Sequence, residues 1–370
     1  MAEVEYTFLG NTGLKVSNIC LGTMTFGSDE RTSRGGTVSS SEAESHRILD
    51  RFAELGGNFI DTANIYHYGM SETIIGNWLE KQDRNRFVIA TKVFVPMDRT
   101  NPNAGFLSRQ HIMWSINESL RRLKTDYIDL YQVHAWDCVT PVEETFGALD
   151  DLVKAGKIHY IGVSNLCGYQ LQRVVDVCKA KGLQPVITLQ QQYSLLCRFS
   201  EFEEFNVCQD EKVGILPWSP LKGGLLSGKY YRGMTQDKLD ELKSRIAFAT
   251  KNKDTVHAIS PDFEKTGEQV FKVLDHLKTI ADKYSKTVAQ VSLRWLLQKP
   301  AVTSVIIGVR TLAQLEDNIG ASAGWRLTDE EMATLDEASA ITDVPYPYSL
   351  GVALKQMRTA KFDSKMFAKK

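Results

Sequence analysis

The stretch NFIDTANIYHYG, residues 58 to 69, joins the end of a buried strand to a polar loop. Phe59 and Ile60 are residue types that favour a strand, and Asp61 follows them where the chain leaves the core. A carboxylate at that point needs a partner, because an unpaired buried charge is costly. Residues 62 to 69 are typical of a surface loop that presents functional groups from a rigid scaffold. A competing interpretation of Asp61 is an N-cap on the next helix.

The same strand pattern recurs along the chain, and segments of helical period separate the strands. Several strands are continuous apolar runs, which is typical of parallel strands covered by helices. Eight such units predict an α/β fold, a (β/α)8 TIM barrel in a single domain. A doubly wound open sheet is the alternative, and it predicts a GxGxxG turn after an early strand that the sequence lacks. The predicted strands are Ser17 to Leu21, Asn58 to Asp61, Phe87 to Lys92, Tyr127 to His134, Tyr160 to Ser164, Val186 to Gln190, Gly214 to Trp218 and Thr303 to Ile307.

Helix starts and ends are marked by capping residues. Pro141 is predicted at a first helical position, and Gly156 just past a helix end. The pairs with capping-box spacing are Ser41 with Glu44, Thr140 with Glu143, and Thr328 with Glu331.

Three segments extend this single domain, predicted over residues 1–370. Residues 1–15 are expected to form an N-terminal hairpin, 222–266 a long loop after strand seven, and 341–370 a C-terminal tail. The long loop contains GGLLSGKY, residues 223–230, which has the GxxxxGK spacing of a P-loop. A P-loop ends in Ser or Thr, whose hydroxyl binds magnesium, and the tyrosine found there argues against nucleotide hydrolysis.

Composition excludes several classes of protein. The net charge is −1 with both signs interspersed, which argues against a nucleic-acid or anionic-membrane partner. No apolar run approaches the roughly 20 residues that span a bilayer, and the N-terminus does not resemble a signal peptide, so a cytoplasmic protein is predicted. The six cysteines are scattered without zinc-type spacing, so neither a metal site nor a disulfide framework is indicated.

Polar residues end several predicted strands. In a barrel of this type the carboxyl ends of the strands carry the chemistry. Asp61, Lys92 and His134 end strands two, three and four, and Tyr66 lies in the loop after strand two. Any one of these groups is compatible with a structural ion pair or a satisfied core histidine. Because all of them fall at one end of the barrel, we expect them to converge in one pocket.

At these residues the chain resembles the aldo-keto reductase superfamily. The motif around Asp61-Thr62-Ala63 and Tyr66, the ATK that contains Lys92, and the LYQVH that ends in His134 resemble its catalytic tetrad. The resemblance covers most of the chain up to about residue 340 and points to the branch of aryl-alcohol dehydrogenases and potassium-channel beta subunits. It also includes LGNTGLKVSNICLGTMTFG (9–27), SLRRLKTDYIDLYQVH (119–134), IGVSN (161–165) and IIGVRTLAQLEDN (306–318).

These residue types suit the reduction of a carbonyl group, a reaction that develops negative charge on oxygen. A phenol has a pKa near ~10, and an adjacent ammonium is expected to lower it. Lys92 would supply that ammonium, and Asp61 would keep it charged and oriented. His134, as a neutral imidazole, would donate a hydrogen bond to the substrate oxygen. Tyr66 would then be the general acid in reduction and the base in alcohol oxidation.

The resemblance also implies a bound nicotinamide dinucleotide. Ser164, Asn165 and Gln190 match positions that hydrogen-bond the carboxamide, and Trp218 matches the aromatic residue that stacks on the nicotinamide ring. The matching positions are Gly22, Thr23, Met24, Asp61, Ser164, Asn165, Gln190, Trp218, Ser219, Pro220, Leu221, Gly223, Lys229, Arg245, Gly308, Arg310, Gln314, Asp317 and Asn318.

NADP is the dinucleotide that the resemblance favours. Arg310 is the candidate for the 2'-phosphate, since a guanidinium suits phosphate geometry, and Arg245 is a second candidate. An ordinary solvated arginine at a helix start is the alternative for Arg310. Some relatives carry a lysine where this chain has Gly308, so the preference for NADP over NAD has less support than the nicotinamide itself.

The substrate is expected to be a small carbonyl compound or alcohol with an aromatic or aliphatic body. Phe26, Phe94 and Trp136 are predicted to line its pocket, although each could also be a core residue. Met24 and two tyrosines of the tail, Tyr346 and Tyr348, are further candidates for the mouth. A cofactor-binding regulatory or redox-sensing subunit that acts through protein partners is the alternative function.

Overall fold

Eight parallel strands form the centre of the fold in a computed structural model that describes residues 4–27, 39–235 and 263–350. The barrel strands are β3 Ile19–Gly22, β4 Phe59–Asp61, β5 Val88–Val93, β6 Ile128–Val133, β7 Ile158–Ser164, β8 Val186–Gln192, β9 Gly214–Trp218 and β10 Val305–Gly308, hydrogen-bonded in the order β10-β3-β4-β5-β6-β7-β8-β9. Between β9 and the segment just before β10, Thr303 N donates to Ile215 O (2.8 Å) and Ile215 N to Ala301 O (3.3 Å), which nearly closes the barrel. The predicted (β/α)8 fold is confirmed.

Helices follow the strands and cover the barrel. In the described parts of the chain they are α1 Glu42–Glu54, α2 Met70–Leu79, α3 Arg109–Leu123, α4 Val142–Lys154, α5 Gly168–Lys181, α6 Glu204–Glu211, α7 Phe263–Tyr284, α8 Val288–Leu297, α9 Leu312–Ile319 and α10 Asp329–Ala338. Their apolar faces pack on the outside of the sheet, and the largest core cluster lies between the two layers.

The predicted caps are largely found, with one error. Ser41 caps α1 by accepting from Glu44 N, and Thr328 forms a full capping box with Glu331. The box predicted at Thr140 is wrong. Its hydroxyl donates to Asp137 Oδ2 (2.7 Å), and α4 begins one residue later than expected, with Pro141 in the N-cap position. A nearby carboxylate thus competes for the hydroxyl that would otherwise cap the helix.

A two-stranded hairpin precedes the barrel, as predicted. Its strands β1 Tyr6–Phe8 and β2 Lys15–Ser17 pair antiparallel. Leu9 and Val16 are fully buried and join the apolar cluster that includes β-strand residues of the barrel interior. Gly10 allows this close approach: its φ is +56°, and a Cβ at this position would lie 2.2 Å from Ile187 O.

The contacts divide the chain into two compact units, Met1–Ser339 and Ala340–Lys370. The prediction of a single domain over 1–370 therefore stays a prediction. In the second unit, Ser349 N donates to Pro345 O (3.2 Å), and Tyr346 is exposed.

The long loop after β9 begins with a 3₁₀ turn, Lys222–Ser227, and Arg245 lies outside the described residues. Among the helices of the described residues, none is long and apolar enough to cross a membrane. The cytoplasmic location stays a prediction. In the same part of the chain, no group of three or more His, Cys, Asp and Glu side chains is placed to hold a metal ion.

Candidate active site

Lys92 is the centre of a buried polar cluster at the carboxyl ends of β4 and β5. Its ammonium donates to Asp61 Oδ1 (2.5 Å), to the main-chain oxygen of Thr62 (2.8 Å) and to the phenol oxygen of Tyr66 (3.3 Å). The Lys92 side chain is 0% exposed and that of Asp61 is 2% exposed. The barrel therefore brings three of the four predicted catalytic residues into direct contact.

Asp61 is a partner of Lys92 and not a helix cap. The helix that follows, α2, starts at Met70 and has Gly69 in its N-cap position, so the N-cap interpretation is wrong. The second carboxylate oxygen, Oδ2, accepts from Gln132 Nε2 and from Gln190 Nε2, both at 2.9 Å. Three donors thus surround a buried carboxylate, which offsets the cost of removing its charge from water.

Tyr66 lies in a short 3₁₀ turn, Tyr66–Gly69, that follows the loop after β4. The next two residues, His67 and Tyr68, have left-handed backbones with φ of 46° and 52°. Such conformations cost energy for residues other than glycine and cluster at functional sites. The ring of Tyr66 has the Lys92 ammonium 4.9 Å from its centroid.

Burial changes the pKa values of Lys92 and Tyr66. It acts to lower the pKa of Lys92, but the attraction of Asp61, and then of Tyr66, raises the pKa above its ordinary value. For Tyr66, burial is the largest influence and the net pKa is raised, although the charge of Lys92 acts in the opposite direction. The expectation that Lys92 lowers the phenol pKa is right in direction, but desolvation outweighs it in this structure.

His134 completes the predicted tetrad. It follows β6, where its main-chain N donates to Val93 O (3.0 Å), and its ring meets that of Tyr66 edge-on at a centroid distance of 6.0 Å. Removal from water, and then the charge of Lys92, lowers the pKa of His134 to about 3. The imidazole is therefore neutral at neutral pH, as the predicted role requires.

A second arc of polar groups lies at the ends of β7, β8 and β9. Asn165, with φ of 58°, donates through Nδ2 to His134 O (2.9 Å) and to Ser164 Oγ (3.0 Å). Its Oδ1 accepts from the indole N–H of Trp218 (3.1 Å). The main-chain oxygen of Gln190 accepts from Asn165 N (3.1 Å). The side chain of Asn165 thus links Ser164 and Trp218 to the main chain of His134, and its main-chain N–H links this group to the main chain of Gln190.

The residues present suit a nicotinamide carboxamide. In the described residues, the Gln190 side chain makes its hydrogen bonds through Nε2 alone, and no group donates to its Oε1. A carbonyl oxygen held in this way can accept from an amide NH₂ group. The amide of Asn165 has its donors and its acceptor engaged within the protein, so Gln190 and the Ser164 hydroxyl are the better placed carboxamide contacts.

The predicted phosphate and adenosine contacts lie on two further segments, one that follows β9 and one that runs from the end of β10 into α9. Within the described residues, neither the guanidinium of Arg310 nor the ammonium of exposed Lys229 has a protein partner, while Arg310 N donates to Gln314 Oε1 (2.9 Å). The side chain of Asp317 accepts from Thr287 Oγ1 (3.0 Å). The other predicted contacts on these segments are Ser219, Pro220, Leu221, Gly223, Gly308 and Asn318.

The segment after β3 reaches the cluster through the main chain. Gly22 pairs in register with Asp61, and Thr23 donates to Asp61 O through both its N and its Oγ1, each at 3.0 Å. Met24, the next residue, is exposed. Of the predicted contacts in this segment, Gly22 and Thr23 therefore lie beside the main chain of Asp61, and Met24 follows them in the sequence.

The candidate substrate residues differ in exposure. Phe26 is fully buried in the core, which favours a packing role over the predicted pocket role. Trp136 is partly buried and packs against the same core. Phe94 forms an edge-to-face pair with Phe106 at 5.4 Å, and Phe106 is half exposed with φ of 65°. An exposed aromatic residue with a strained backbone next to the end of β5 is a stronger pocket candidate than Phe26.

Two residues of interest were not predicted from the sequence. Phe106 gave no signal, because a positive φ cannot be read from a phenylalanine. Gln132 did give a signal in the sequence. It lies on β6, two residues before His134, and alternate residues of a strand face the same side. A glutamine facing the barrel interior needs polar partners there, and Asp61 and Gln190 provide them.

The chain is similar in sequence to several known proteins. The Aldo/keto reductase family model matches residues 18–340. The uncharacterized oxidoreductase YrpG of Bacillus subtilis is 38% identical over 330 residues, covering 86% of this chain and 91% of its own length. The versiconal hemiacetal acetate reductase of Aspergillus parasiticus is 32% identical over 352 residues (90% and 96%). The norsolorinic acid reductase of Aspergillus flavus is 32% identical over 346 residues (91% and 81%).

Proposed function

The chain belongs to the aldo/keto reductase family, and from that membership and the geometry of the site we propose that it reversibly transfers a hydride between NADPH and the carbonyl of an aldehyde or ketone. The observation that carries the proposal is the buried ion pair of Lys92 and Asp61 in contact with the phenol of Tyr66. Removing both charges from water costs free energy, so the presence of such a buried pair favours a functional use for its charge. Two of the similar proteins are named as reductases, which supports the direction of carbonyl reduction.

Tyr66 is the proton donor in this proposal. A bound NADPH would supply the hydride to the carbonyl carbon. The phenol proton of Tyr66 passes to the carbonyl oxygen, which leaves a neutral alcohol and a phenolate beside Lys92. Because burial raises the pKa of Tyr66, the phenol is protonated at neutral pH, as reduction requires. The reverse reaction needs the phenolate, so alcohol oxidation is expected to speed up as pH rises above neutrality.

The other groups orient and stabilise. His134, neutral because its pKa is lowered to about 3, donates a hydrogen bond to the substrate oxygen as negative charge develops on it. Asp61 holds the Lys92 ammonium, and Lys92 stabilises the phenolate that remains. Gln190 and Ser164 would hold the carboxamide of a bound dinucleotide, and Trp218 would stack on its nicotinamide ring.

Two cations near the predicted phosphate contacts support NADP as the dinucleotide. Arg310 has a free guanidinium at the start of α9, and Lys229 a free ammonium after β9, within the described residues. Two cations of this kind suit the 2'-phosphate and the pyrophosphate of NADPH. Phe94 and Phe106 form an aromatic wall for the body of the substrate, which favours aromatic or bulky carbonyl compounds.

The first experiment titrates the purified protein with NADPH and, separately, with NADH. Aromatic and aliphatic aldehydes are then added to each mixture, and the decrease of the nicotinamide absorbance is measured. We expect tight NADPH binding and aldehyde-dependent oxidation.

Tyr66→Phe should keep cofactor affinity but lower turnover about a thousandfold, the scale of general acid catalysis. Tyr68→Phe, in the same turn, is the matched control. Tight binding without turnover would favour the regulatory-subunit alternative, and an active Tyr66→Phe variant would remove Tyr66 as the acid.

A further inference from the structure

Three buried side chains, Asp61, Gln132 and Gln190, form a hydrogen-bonded triangle inside the barrel. Gln132 Nε2 and Gln190 Nε2 each donate to Asp61 Oδ2 at 2.9 Å. Gln190 Nε2 also donates to Gln132 Oε1 at 3.1 Å. Gln132 is 0% exposed and Gln190 is 3% exposed, so water contributes little to their partners.

The charge of Asp61 gives this triangle a single direction. An ionised carboxylate only accepts hydrogen bonds, so both glutamines must turn their NH₂ groups towards it. Gln132 then presents its oxygen to Gln190, and both N–H groups of Gln190 are engaged. Across the described part of the chain, the oxygen of Gln190 is left without a donor. The amide of Gln190 therefore offers the site an acceptor and no donor.

We propose that Gln132 is a positioning residue that, with Asp61, locks the Gln190 amide so that its oxygen alone is presented to the carboxamide NH₂ of the nicotinamide. The inference rests on the proposed function. It assigns a specificity: the site selects a dinucleotide whose pyridine ring carries an N–H donor. Without Gln132, the second N–H of Gln190 loses its acceptor, and the amide is free to rotate about its terminal torsion.

The neighbouring strand leaves room for this arrangement. Gly162 on β7 faces the two glutamine-bearing strands, and a Cβ added there would lie 3.0 Å from Gln132 Cγ and 2.5 Å from Thr188 Oγ1. Thr188 is fully buried, two residues before Gln190 on β8, and its hydroxyl has no partner among the described residues. The residue at 162 is therefore small where the Gln132 side chain crosses the barrel.

The test compares two oxidised dinucleotides by calorimetric titration. One is NADP⁺, and the other is its 3-acetylpyridine analogue, in which a methyl group replaces the carboxamide NH₂. The wild-type protein should bind NADP⁺ about tenfold more tightly, the value of one hydrogen bond of roughly 1.4 kcal/mol. In Gln132→Leu, NADP⁺ binding should weaken while the analogue binds as before, so that the ratio falls to about two. Thr188→Val, which removes a buried hydroxyl that has no partner, is the matched control and should keep the wild-type ratio.

A double variant separates positioning from packing. Gln190→Leu should abolish the discrimination, and adding Gln132→Leu to it should not change the ratio further, because the two residues act through one hydrogen bond. The melting temperature of each variant shows whether it is folded.

Equal weakening of both dinucleotides by Gln132→Leu, with an unchanged ratio, would mean that Gln132 only fills space and would overturn this inference alone. An independent effect of Gln132→Leu in the Gln190→Leu background would do the same. If the wild-type protein bound neither dinucleotide, the proposed function itself would fail, and this inference with it.

Discussion

Replacing Asp61 by Asn should reverse the way in which Lys92 contributes to stability. In the wild-type protein, burial acts to lower the pKa of Lys92, but Asp61 and Tyr66 raise it above its ordinary value. The Asn variant keeps the shape of the side chain and removes the charge that the ammonium contacts at 2.5 Å. Burial then becomes the dominant influence, and we expect the pKa of Lys92 to fall below its ordinary value.

The sign of the pH effect follows from proton linkage. In the wild-type protein the folded state binds the Lys92 proton more tightly than the unfolded state does. This contribution to stability is fully present below the unfolded pKa, near ~10.4, and is lost as the pH rises through the folded pKa. In the Asp61→Asn variant the unfolded state binds the proton more tightly. Between the lowered folded pKa and about 10.4, the variant therefore becomes more stable as the pH rises.

The burial of the pair sets the magnitude. The Lys92 side chain is 0% exposed, so a charge left there without Asp61 cannot be solvated. Removing one partner of such a pair costs about 3–5 kcal/mol. Part of that loss should be recovered as the pH rises from the lowered pKa of Lys92 to the unfolded value near ~10.4, because the ammonium then gives up its proton in the folded variant.

Urea unfolding of the wild type, Asp61→Asn, Lys92→Met and the double variant at a series of pH values measures this effect. The difference in the free energy of unfolding between wild type and Asp61→Asn should shrink as the pH rises. The double variant has no lysine to titrate at this position and should lack the pH slope of Asp61→Asn. A difference between wild type and Asp61→Asn that is flat from neutral to alkaline pH would refute the reasoning, since it would mean that Lys92 keeps its proton without Asp61.

Three further substitutions test other parts of the molecule. Arg310→Ala should weaken NADPH about 10- to 100-fold and leave NADH unchanged, as expected for one charge-assisted contact with the 2'-phosphate; equal loss for both in binding titrations would favour Arg245 instead. Gly308→Lys, where an added Cβ meets nothing within 4 Å, should tighten NADPH a few-fold in a salt-dependent way, and tightening of NADH as well would contradict a 2'-phosphate contact. Gly10→Ala should cost more than about 2 kcal/mol in urea unfolding because its Cβ would clash with the main chain; Gly156→Ala, also with positive φ but open space, is the control, and an equal cost would leave only backbone strain.

Much of the fold could be predicted because its signals are local. A continuous apolar run that ends in a polar residue indicates a buried strand of a parallel sheet, and eight such runs alternating with helical segments define the barrel. All eight predicted strands are present, and each observed strand end lies within two residues of the predicted one. The cap at Thr140 failed because its competitor, Asp137, lies in the preceding loop, whose conformation the capping pattern does not encode.

That the candidate catalytic residues come together could be predicted for a similar reason. Asp61, Lys92 and His134 stand at strand ends, and a parallel barrel brings the carboxyl ends of its strands together whatever the details of packing. Their protonation was harder to anticipate. A lysine next to a tyrosine predicts a lowered phenol pKa, yet the pKa of Tyr66 is raised, because the extent of burial depends on side chains distant in the sequence.

The sequence by itself thus determined the barrel, the order of its strands and the identity of the residues at its carboxyl end, since all of these follow from hydrophobic period and chain order. Only the tertiary structure decided which atoms are in contact and which side chains are buried. Asp61 Oδ2 accepts hydrogen bonds from the amides of Gln132 and Gln190, and Phe26 is buried. The physical reason is that hydrogen-bond direction and desolvation depend on contacts between residues far apart in the chain. Gln132 and Gln190 are separated by 58 positions and meet through one hydrogen bond of 3.1 Å.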